Sequence, residues 1–396
     1  MRADIACPIR LKKTYSGDVQ KGFPWVYAQD IIESSEAMLV PPGSLVSIEN
    51  HKGQYLATGF YNPASTIAAR VLSRSKEVID VAFFTSKIEQ ALKRREKAFT
   101  APFYRLLHAE SDGLPGLLLD RFAGHLVFQC GAAGMERLQS LWIQSVEQLF
   151  TPSSLLLRND IAVRQREGLP QEVVLLKGDI PELVEVVEND IRYLADLKNG
   201  QKTGWFFDQR DNRKMIAELA PGKTLVDVYS HSGGFGLLAA HAGASHVTLV
   251  DSSKLALELA EQAAKLNGLS GLDYQQGDAI AVMQRLFDEG KRFDIVLADP
   301  PAFVKQKKDV ASGMKGYEKV ARHAARLVAP GGLLFVASCS HHATRPKFNQ
   351  AVLKGAKADG RGFTTVTQTG AGADHPIHPL LPQSEYLKGI LLRAIA

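Results

Sequence analysis

The cysteine at position 339 stands between Ser338 and Ser340, at the end of the apolar run G-G-L-L-F-V-A-S-C-S. A cysteine inside a strand is ordinarily a small core hydrophobe. One at a strand's carboxyl end, flanked by hydroxyls, is placed to act as a thiolate nucleophile. A second apolar run, F-D-I-V-L-A, ends in Asp299, Pro300 and Pro301, followed by Ala302 and Phe303. The two prolines stiffen the turn, so the carboxylate and the neighbouring carbonyls are presented on a rigid platform. Together these residues fit chemistry at a pyrimidine ring. Carbon 5 of cytosine is a poor nucleophile, and adding a thiolate to C6 makes it enamine-like, able to accept a methyl group from a sulfonium. Cys339 would supply the thiolate, and Asp299 the group that hydrogen-bonds or protonates N3. The same D-P-P turn also serves exocyclic amines, so guanine and adenine remain alternative acceptors. The base that removes the C5 proton is not singled out; His341 and His342 follow directly. No second pair of ligands stands at zinc spacing near them, and no metal is expected.

These groups need a sheet whose strands end on one edge. The stretch 224–252 reads strand, glycine turn, helix, strand: Leu225 to Tyr229, then Ser230, Gly233, Gly234 and Gly236, then L-L-A-A-H-A, then His246 to Val250 closing on Asp251. Glycines at such a turn let the backbone approach a ligand, and an acid at the tip of the next strand accepts hydrogen bonds from a ribose. The spacing is not the dinucleotide fingerprint G-x-G-x-x-G. Asp227 sits at the strand end just before the turn, where a carboxylate repels phosphate and welcomes an ammonium or sulfonium group. The pattern resembles the first two motifs of class I S-adenosylmethionine-dependent methyltransferases. After Asp251 a helix capped by Ser252 or Ser253 runs to Gly268. Asp278 then follows another strand, either as an acceptor for an adenine amino group or as the N-cap of a helix from Ala279 to Phe287.

Upstream, N-G-Q-K-T-G-W-F-F-D-Q-R-D-N-R spans Asn199 to Arg213. Polar residues around three consecutive aromatics fit neither a plain amphipathic helix nor a strand, and such conflicts concentrate at sites. The rings would cover the adenine or the methionine end of a cofactor, with Lys202, Thr203, Asp208 and Arg210 as polar contacts. The alternative is a capped helix start whose aromatics pack into a seam. Lys305, Lys307, Lys308 and Lys315 read as a flexible basic loop beside the D-P-P platform, suited to phosphate contacts or simply solvated.

The 396 residues and 45% hydrophobic content allow two or three domains with buried cores. The boundaries fall at 1–73, 74–190 and 191–396. No apolar run approaches the ~18 residues of a membrane span, and the start lacks the architecture of an export signal, so a cytoplasmic, membrane-free protein is expected. Cys7, Cys130 and Cys339 form neither a disulfide framework nor a metal cluster. The first hundred residues carry 14 Lys and Arg against 10 Asp and Glu, so four of the five net positive charges lie there. Short β-like runs up to Ser73, turning at Asn50 to Gly53, argue a small barrel, with Trp25 after Pro24 as either a core anchor or part of an RNA-binding rim. A helix from Ile79 to Lys97 ends in the basic run Lys93 to Lys97, which reads as a solvated face. A helix from Met135 to Phe150 and strands at Leu155 to Arg158, Glu172 to Leu176 and Leu183 to Val187 complete a middle α+β segment.

With these residues in view, the chain resembles along its whole length the RlmI-like class I rRNA methyltransferases, which make 5-methylcytosine in bacterial 23S rRNA. The resemblance rests on F-P-W-V at Phe23 to Val26, E-S-D-G-L-P-G at Glu110 to Gly116, K-T-G-W-F-F-D-Q-R-D at Lys202 to Asp211, S-H-S-G-G-F at Ser230 to Phe235, D-P-P-A-F and S-C-S. The late D-H-P at Asp374 to Pro376 and Y-L-K-G at Tyr386 to Gly389 look familial too. It implies an α/β fold: an N-terminal PUA barrel, a central α+β domain and a Rossmann-like methyltransferase domain whose last strand is antiparallel. It implies Cys339 as nucleophile with Asp299, and S-adenosylmethionine held by Lys202, Thr203, Gly204, Phe206, Asp208, Arg210, Asp227, Tyr229, Ser230, Gly233, Gly234, Asp251, Ser252, Asp278, Ala279, Asp299 and Pro300. Contacts to RNA fall to Lys21, Trp25, Pro301, Phe303, Lys305, Lys307 and Lys308. The implied partner is large-subunit rRNA or its assembly intermediate, with a homodimer as a further arrangement. This chain has His231-Ser232 where the family usually has Tyr-Thr, and Ala302 where it has Lys. The competing readings are methylation of another RNA base and a non-catalytic RNA-binding or ribosome-assembly protein.

Overall fold

A computed structural model describes residues 2–395. The chain divides into two compact units. One runs to Glu182 and takes in Asp196–Trp205 and Ala373–Pro382; the other comprises Leu183–Ala195, Phe206–Gly372 and the chain from Gln383 onward.

The first unit holds two five-stranded sheets, beside a short antiparallel pair of Arg2–Ala3 with Ile79–Asp80. In one, Cys7–Arg10, Ser44–Glu49, Tyr55–Tyr61, Ala69–Ser73 and Trp25–Val26 lie in that order around a core of Ile9, Val46, Ile48, Ala57 and Val71. The turn expected at Asn50 to Gly53 forms because Asn50 Oδ1 accepts from the amides of Lys52 and Gln54, at 2.9 and 3.0 Å. The other sheet has the order Val173–Gly178, Ser154–Arg158, His125–Cys130, Leu117–Phe122, Phe103–His108, and the helices Val81–Ala98 and Gln139–Phe150 pack together over its core. Asp80 caps the first of them at the amide of Phe83, 3.0 Å.

The basic run at the end of that helix is not uniformly a solvated face. Lys93, Arg94 and Lys97 are exposed, but Arg95 is buried. Its guanidinium grips both oxygens of Asp112 at 2.9 and 2.6 Å and donates to the Asp374 carbonyl at 3.0 Å. The D-H-P and E-S-D-G-L-P-G motifs thus meet in a buried ion-pair network. A bidentate pair at this depth is strongly destabilising to break, because one charge is left uncompensated.

The second unit is built on seven strands: β1 (Thr224–Val228), β2 (His246–Asp251), β3 (Leu272–Gln276), β4 (Phe293–Ala298), β5 (Val328–Ser338), β6 (Phe363–Thr369) and β7 (Lys388–Ala394). Their order is β3-β2-β1-β4-β5-β7-β6, with β1 to β5 paired in parallel and β7 antiparallel to both neighbours. The central strands read as unbroken apolar runs because the sheet is covered on both faces, by the helices α1 (Gly234–His241), α2 (Lys254–Leu266), α3 (Ala279–Asp288), α4 (Val310–Leu327) and α5 (Arg345–Ala356). Strand order reverses between β1 and β4, which opens a crevice at their carboxyl ends.

Two readings of the chain are corrected here. The stretch Leu183 to Val187 belongs to this unit: Val184–Glu188 pairs with Ile191–Ala195 as a hairpin, held by Arg213, whose Nη1 lies 2.7 Å from Glu188 Oε1. The basic stretch after D-P-P is only partly a loop. Gln306 and Asp309 form a reciprocal capping box and α4 starts at Val310, so Lys315 stands on a helix. Among the described residues no helix is long and apolar enough to cross a membrane.

Candidate active site

Strand β1 ends in a backbone that ordinary residues avoid. Tyr229 (φ 65°), His231 (φ 50°) and Gly233 (φ 82°) are all left-handed. Strain of this kind persists where the surroundings over-determine it. Three bonds do so: Ser230 N donates to the Val250 carbonyl at 3.0 Å, His231 N to Asp251 Oδ2 at 2.8 Å, and Asp299 N to the Val228 carbonyl at 3.3 Å. Asp251 Oδ1 also accepts from Ser253 N at 2.8 Å, so a single carboxylate sets the turns after both β1 and β2. At Gly233 a Cβ would lie 2.9 Å from Leu237 Cγ, so the turn accepts only glycine.

Asp227, 1% exposed, accepts from the amide of Gly236 through Oδ2 at 2.9 Å. Its Oδ1 and the hydroxyl of Ser230 are buried without a hydrogen-bond partner among the described residues. Buried polar atoms are normally satisfied, and these two mark a place for a donor. Burial raises the Asp227 carboxyl to about 7; the Asp299 and Asp251 charges add to the rise, and the Gly236 amide and Arg213 oppose it.

On the other side of the crevice, Asp299 is half-buried and accepts at Oδ2 from Gln209 Nε2, 2.8 Å away. Gln209 is oriented in turn by Asn212, 2.6 Å from its Oε1. The loop after β4 is tied to the loop after β5 by a chain of hydroxyls. Ser338 Oγ donates to Tyr317 OH at 2.7 Å, Tyr317 OH and Ser340 Oγ lie 2.7 Å apart, and Ser340 Oγ accepts from Val304 N at 3.1 Å. At Gly313 of α4 a Cβ would sit 2.3 Å from Val304 Cγ2, which is why the helix can press this close against the D-P-P-A-F loop. Cys339 is carried between the two clamped serines. It is half-buried, whereas Cys7 and Cys130 are buried, and burial pushes the Cys130 thiol up to about 12. The sulfur of Cys339 is therefore not walled into the core.

The remaining candidate residues divide. Asp227, Tyr229, Ser230, Gly233, Gly234, Asp251, Ser252, Asp278, Ala279, Asp299, Pro300 and Cys339 all sit at the carboxyl edge of the sheet or at the helix starts that follow it. Asp278 serves as N-cap of α3, accepting from Ala281 N at 3.0 Å. Phe206 lies edge-on to His231, ring centroids 5.3 Å apart, while Phe207 is buried. Asp208 accepts from Tyr386 OH at 2.6 Å, and Arg210 lies 3.7 Å from Glu188. Lys202, Thr203 and Gly204 belong to the first unit, where Thr203 Oγ1 donates to Asp120 at 2.6 Å. Trp25 is there too, its indole donating to Glu110 at 2.7 Å, with Lys21 exposed nearby in sequence. Lys305, Lys307 and Lys308 are exposed before α4, after an exposed Pro301 and a half-buried Phe303. Sequence reasoning missed Gln209, Tyr317 and Lys388. Only Lys388 left a signal, as a lone charge opening the apolar run G-I-L-L.

Residues 112–359, which carry β1 to β5 and the acid and glycine turn after β1, match an S-adenosylmethionine-dependent methyltransferase family profile, and residues 9–74 match a PUA-like domain. The chain belongs to the S-adenosylmethionine-dependent methyltransferases. It is 36% identical over 393 residues to ribosomal RNA large subunit methyltransferase I of Aeromonas salmonicida (strain A449), covering 98% of this chain and 99% of the relative. The protein of that name from Enterobacter sp. (strain 638) is 35% identical over 380 residues, 94% of this chain and 95% of the relative. Among solved structures, that of SMU.776, a methyltransferase complexed with SAH, superposes with a TM-score of 0.84 at 20% identity, covering 98% of this chain and 100% of the other. A methyltransferase from Streptococcus mutans gives 0.82 at 19% identity, with the same coverage. These two show the fold.

The cofactor of the methyltransferase is S-adenosylmethionine, and the unpaired oxygens of Asp227 and Ser230 fit its cationic, hydrogen-bond-donating methionine end. A pH dependence follows. Below pH 7 the Asp227 carboxyl holds its proton, and as the pH rises it ionises. A bound cation favours the ionised form, so binding expels a proton. The affinity is therefore expected to rise several-fold, up to ~10-fold, between about pH 6 and about pH 7.5, with proton release. Asp227→Asn is expected to flatten that rise. Calorimetry in buffers of different ionisation enthalpy measures both, and an affinity that falls over this interval would contradict the assignment.

Proposed function

We propose that this methyltransferase forms 5-methylcytosine in large-subunit ribosomal RNA through a covalent bond between Cys339 Sγ and C6 of the base. The observation that carries the reading is the half-buried Cys339, fixed between Ser338 and Ser340 and tied through Tyr317 to the loop that presents Asp299. The names of the relatives support ribosomal RNA as substrate, as does the PUA-like domain.

In this mechanism the cytosine leaves its stack and enters the crevice. The Cys339 thiolate attacks C6, the C5–C6 π electrons shift through C4 toward N3, and N3 takes a proton from Asp299, whose carboxylate has gained it from solvent as the base enters. S-adenosylmethionine supplies the methyl group to C5 from its sulfonium. Loss of the C5 proton to a base then re-forms the double bond, the thiolate leaves C6, and the N3 proton returns to Asp299. Asp227, Tyr229, Ser230, Gly233 and Gly234 hold the methionine end, Asp251 and Ser252 the ribose, and Asp278, Ala279 and Pro300 border the adenine. Lys305, Lys307 and Lys308 contact RNA phosphates. The place of action is the cytoplasm, on rRNA or an assembly intermediate.

The test is product analysis. The protein is incubated with large-subunit rRNA and methyl-labelled S-adenosylmethionine, and the RNA is digested to nucleosides. Labelled 5-methylcytidine supports the reading; label in a methylguanosine or in N6-methyladenosine overturns it.

A further inference from the structure

Lys388 opens β7 and is 2% exposed. Its strand partner in the antiparallel register is Ser338, next to Cys339, and its Nζ donates to the Ser340 carbonyl at 2.8 Å. A lysine this deep needs an anionic partner to stay charged, and a carbonyl is not one. The titratable groups that act on it are Arg345, Cys339 and Glu385. Glu385 is 43% exposed and already engaged by Arg345, whose Nη2 and Nε lie 2.6 and 3.1 Å from its Oε1. The group left to balance a charge on Lys388 is the thiol of Cys339.

We infer that Lys388 is the positioning residue that generates and holds the Cys339 thiolate: the S–H bond breaks, its proton forms an N–H bond on the Lys388 amine, and the resulting ammonium pairs with the sulfur. The inference rests on the proposed nucleophilic role of Cys339. When sulfur adds to C6 its charge passes into the ring while the ammonium keeps the proton, and when the thiolate is expelled the pair is restored. Burial, aided by Arg345, lowers the Lys388 ammonium to about 8, with Cys339 and Glu385 acting the other way. That brings it close to the ordinary range of a cysteine, about 8.5, so transfer between the two is nearly balanced.

The experiment is the pH profile of Cys339 alkylation by iodoacetamide on the full chain, located by mass spectrometry, from about pH 6 to about pH 10. Lys388→Gln keeps an N–H for the Ser340 carbonyl while removing the charge, and Lys388→Arg keeps a permanent charge. Retained S-adenosylmethionine binding shows that each variant is folded. Lys388→Gln is expected to shift the thiol titration upward by about one unit, slowing alkylation near pH 7 by about tenfold. Lys388→Arg is expected to retain early ionisation. A Lys388→Gln profile coinciding with that of the unsubstituted protein overturns the inference. So does a Lys388→Arg profile shifted as far as that of Lys388→Gln, because the charge is then not what matters. Alkylation reads the thiol without reference to turnover. A shifted profile beside a fully active Cys339→Ala variant leaves the ion pair standing and removes the cytosine mechanism. An unmoved profile beside an inactive Cys339→Ala variant does the reverse.

Discussion

Replacing Cys339 with alanine is expected to lower methyl transfer by about 10³-fold or more while leaving S-adenosylmethionine affinity within about twofold. The size follows from the role: without addition at C6, C5 has no enamine character, and no positioning of the donor compensates. The small effect on binding follows from placement. Cys339 lies after β5, whereas the unpaired oxygens that fit the cofactor, on Asp227 and Ser230, lie at the end of β1 and in the turn after it. A large loss of turnover with binding retained is the pattern of an interaction made on the reaction path. RNA carrying 5-fluorocytidine at the target provides a second readout. Fluorine at C5 cannot leave as a proton does, so the unsubstituted protein is expected to stay covalently attached to the RNA on a denaturing gel, and Cys339→Ala to run free. Undiminished turnover in the variant would exclude the C5 mechanism and return the choice to an exocyclic amine.

What was legible in the sequence was what depends on neighbours along the chain. The apolar runs of β1, β2, β4 and β5 read as strands because a parallel sheet buries them on both faces, and the residues closing each run fall on one edge. The turn after β1 was legible because Gly233 must adopt a positive φ and Asp227 precedes it. Cys339 stood out because it follows its strand instead of lying within it. Contacts that depend on distant partners were not legible. Arg95 looked like one of four solvated cations, and its partners are Asp112, the Arg105 carbonyl and the Asp374 carbonyl, the last 279 residues away. Tyr317 is an ordinary aromatic in a helix until the serines on either side of Cys339 meet its hydroxyl. Lys388 stands out in the sequence as a lone charge before an apolar run, but its place beside Cys339 comes only from the register that sets it opposite Ser338. Asp278 could be read as a ligand or as a cap from the same residues, and the hydrogen bond to Ala281 shows the cap in use.

Asp299→Asn is expected to reduce turnover by about 10²- to 10⁴-fold, the usual range for removal of a positioned acid. The substitution keeps the shape of the side chain and an oxygen for the Gln209 amide, so the loop and its ties to Tyr317 and Ser340 should hold. What it removes is the exchangeable acid proton. As sulfur bonds to C6, negative charge develops across N3 and the exocyclic oxygen of cytosine, and an asparagine donates a hydrogen bond there without giving up a proton. The deficit should therefore appear in kcat, with KM for RNA nearly unchanged, because the interaction strengthens only as charge builds. The 5-fluorocytidine adduct should still form with Asp299→Asn, far more slowly, since the nucleophile is intact. That separates it from Cys339→Ala, which forms none. If Asp299→Asn instead raised KM for S-adenosylmethionine and left kcat alone, Asp299 would belong to the cofactor side of the crevice, and the proton at N3 would need another donor.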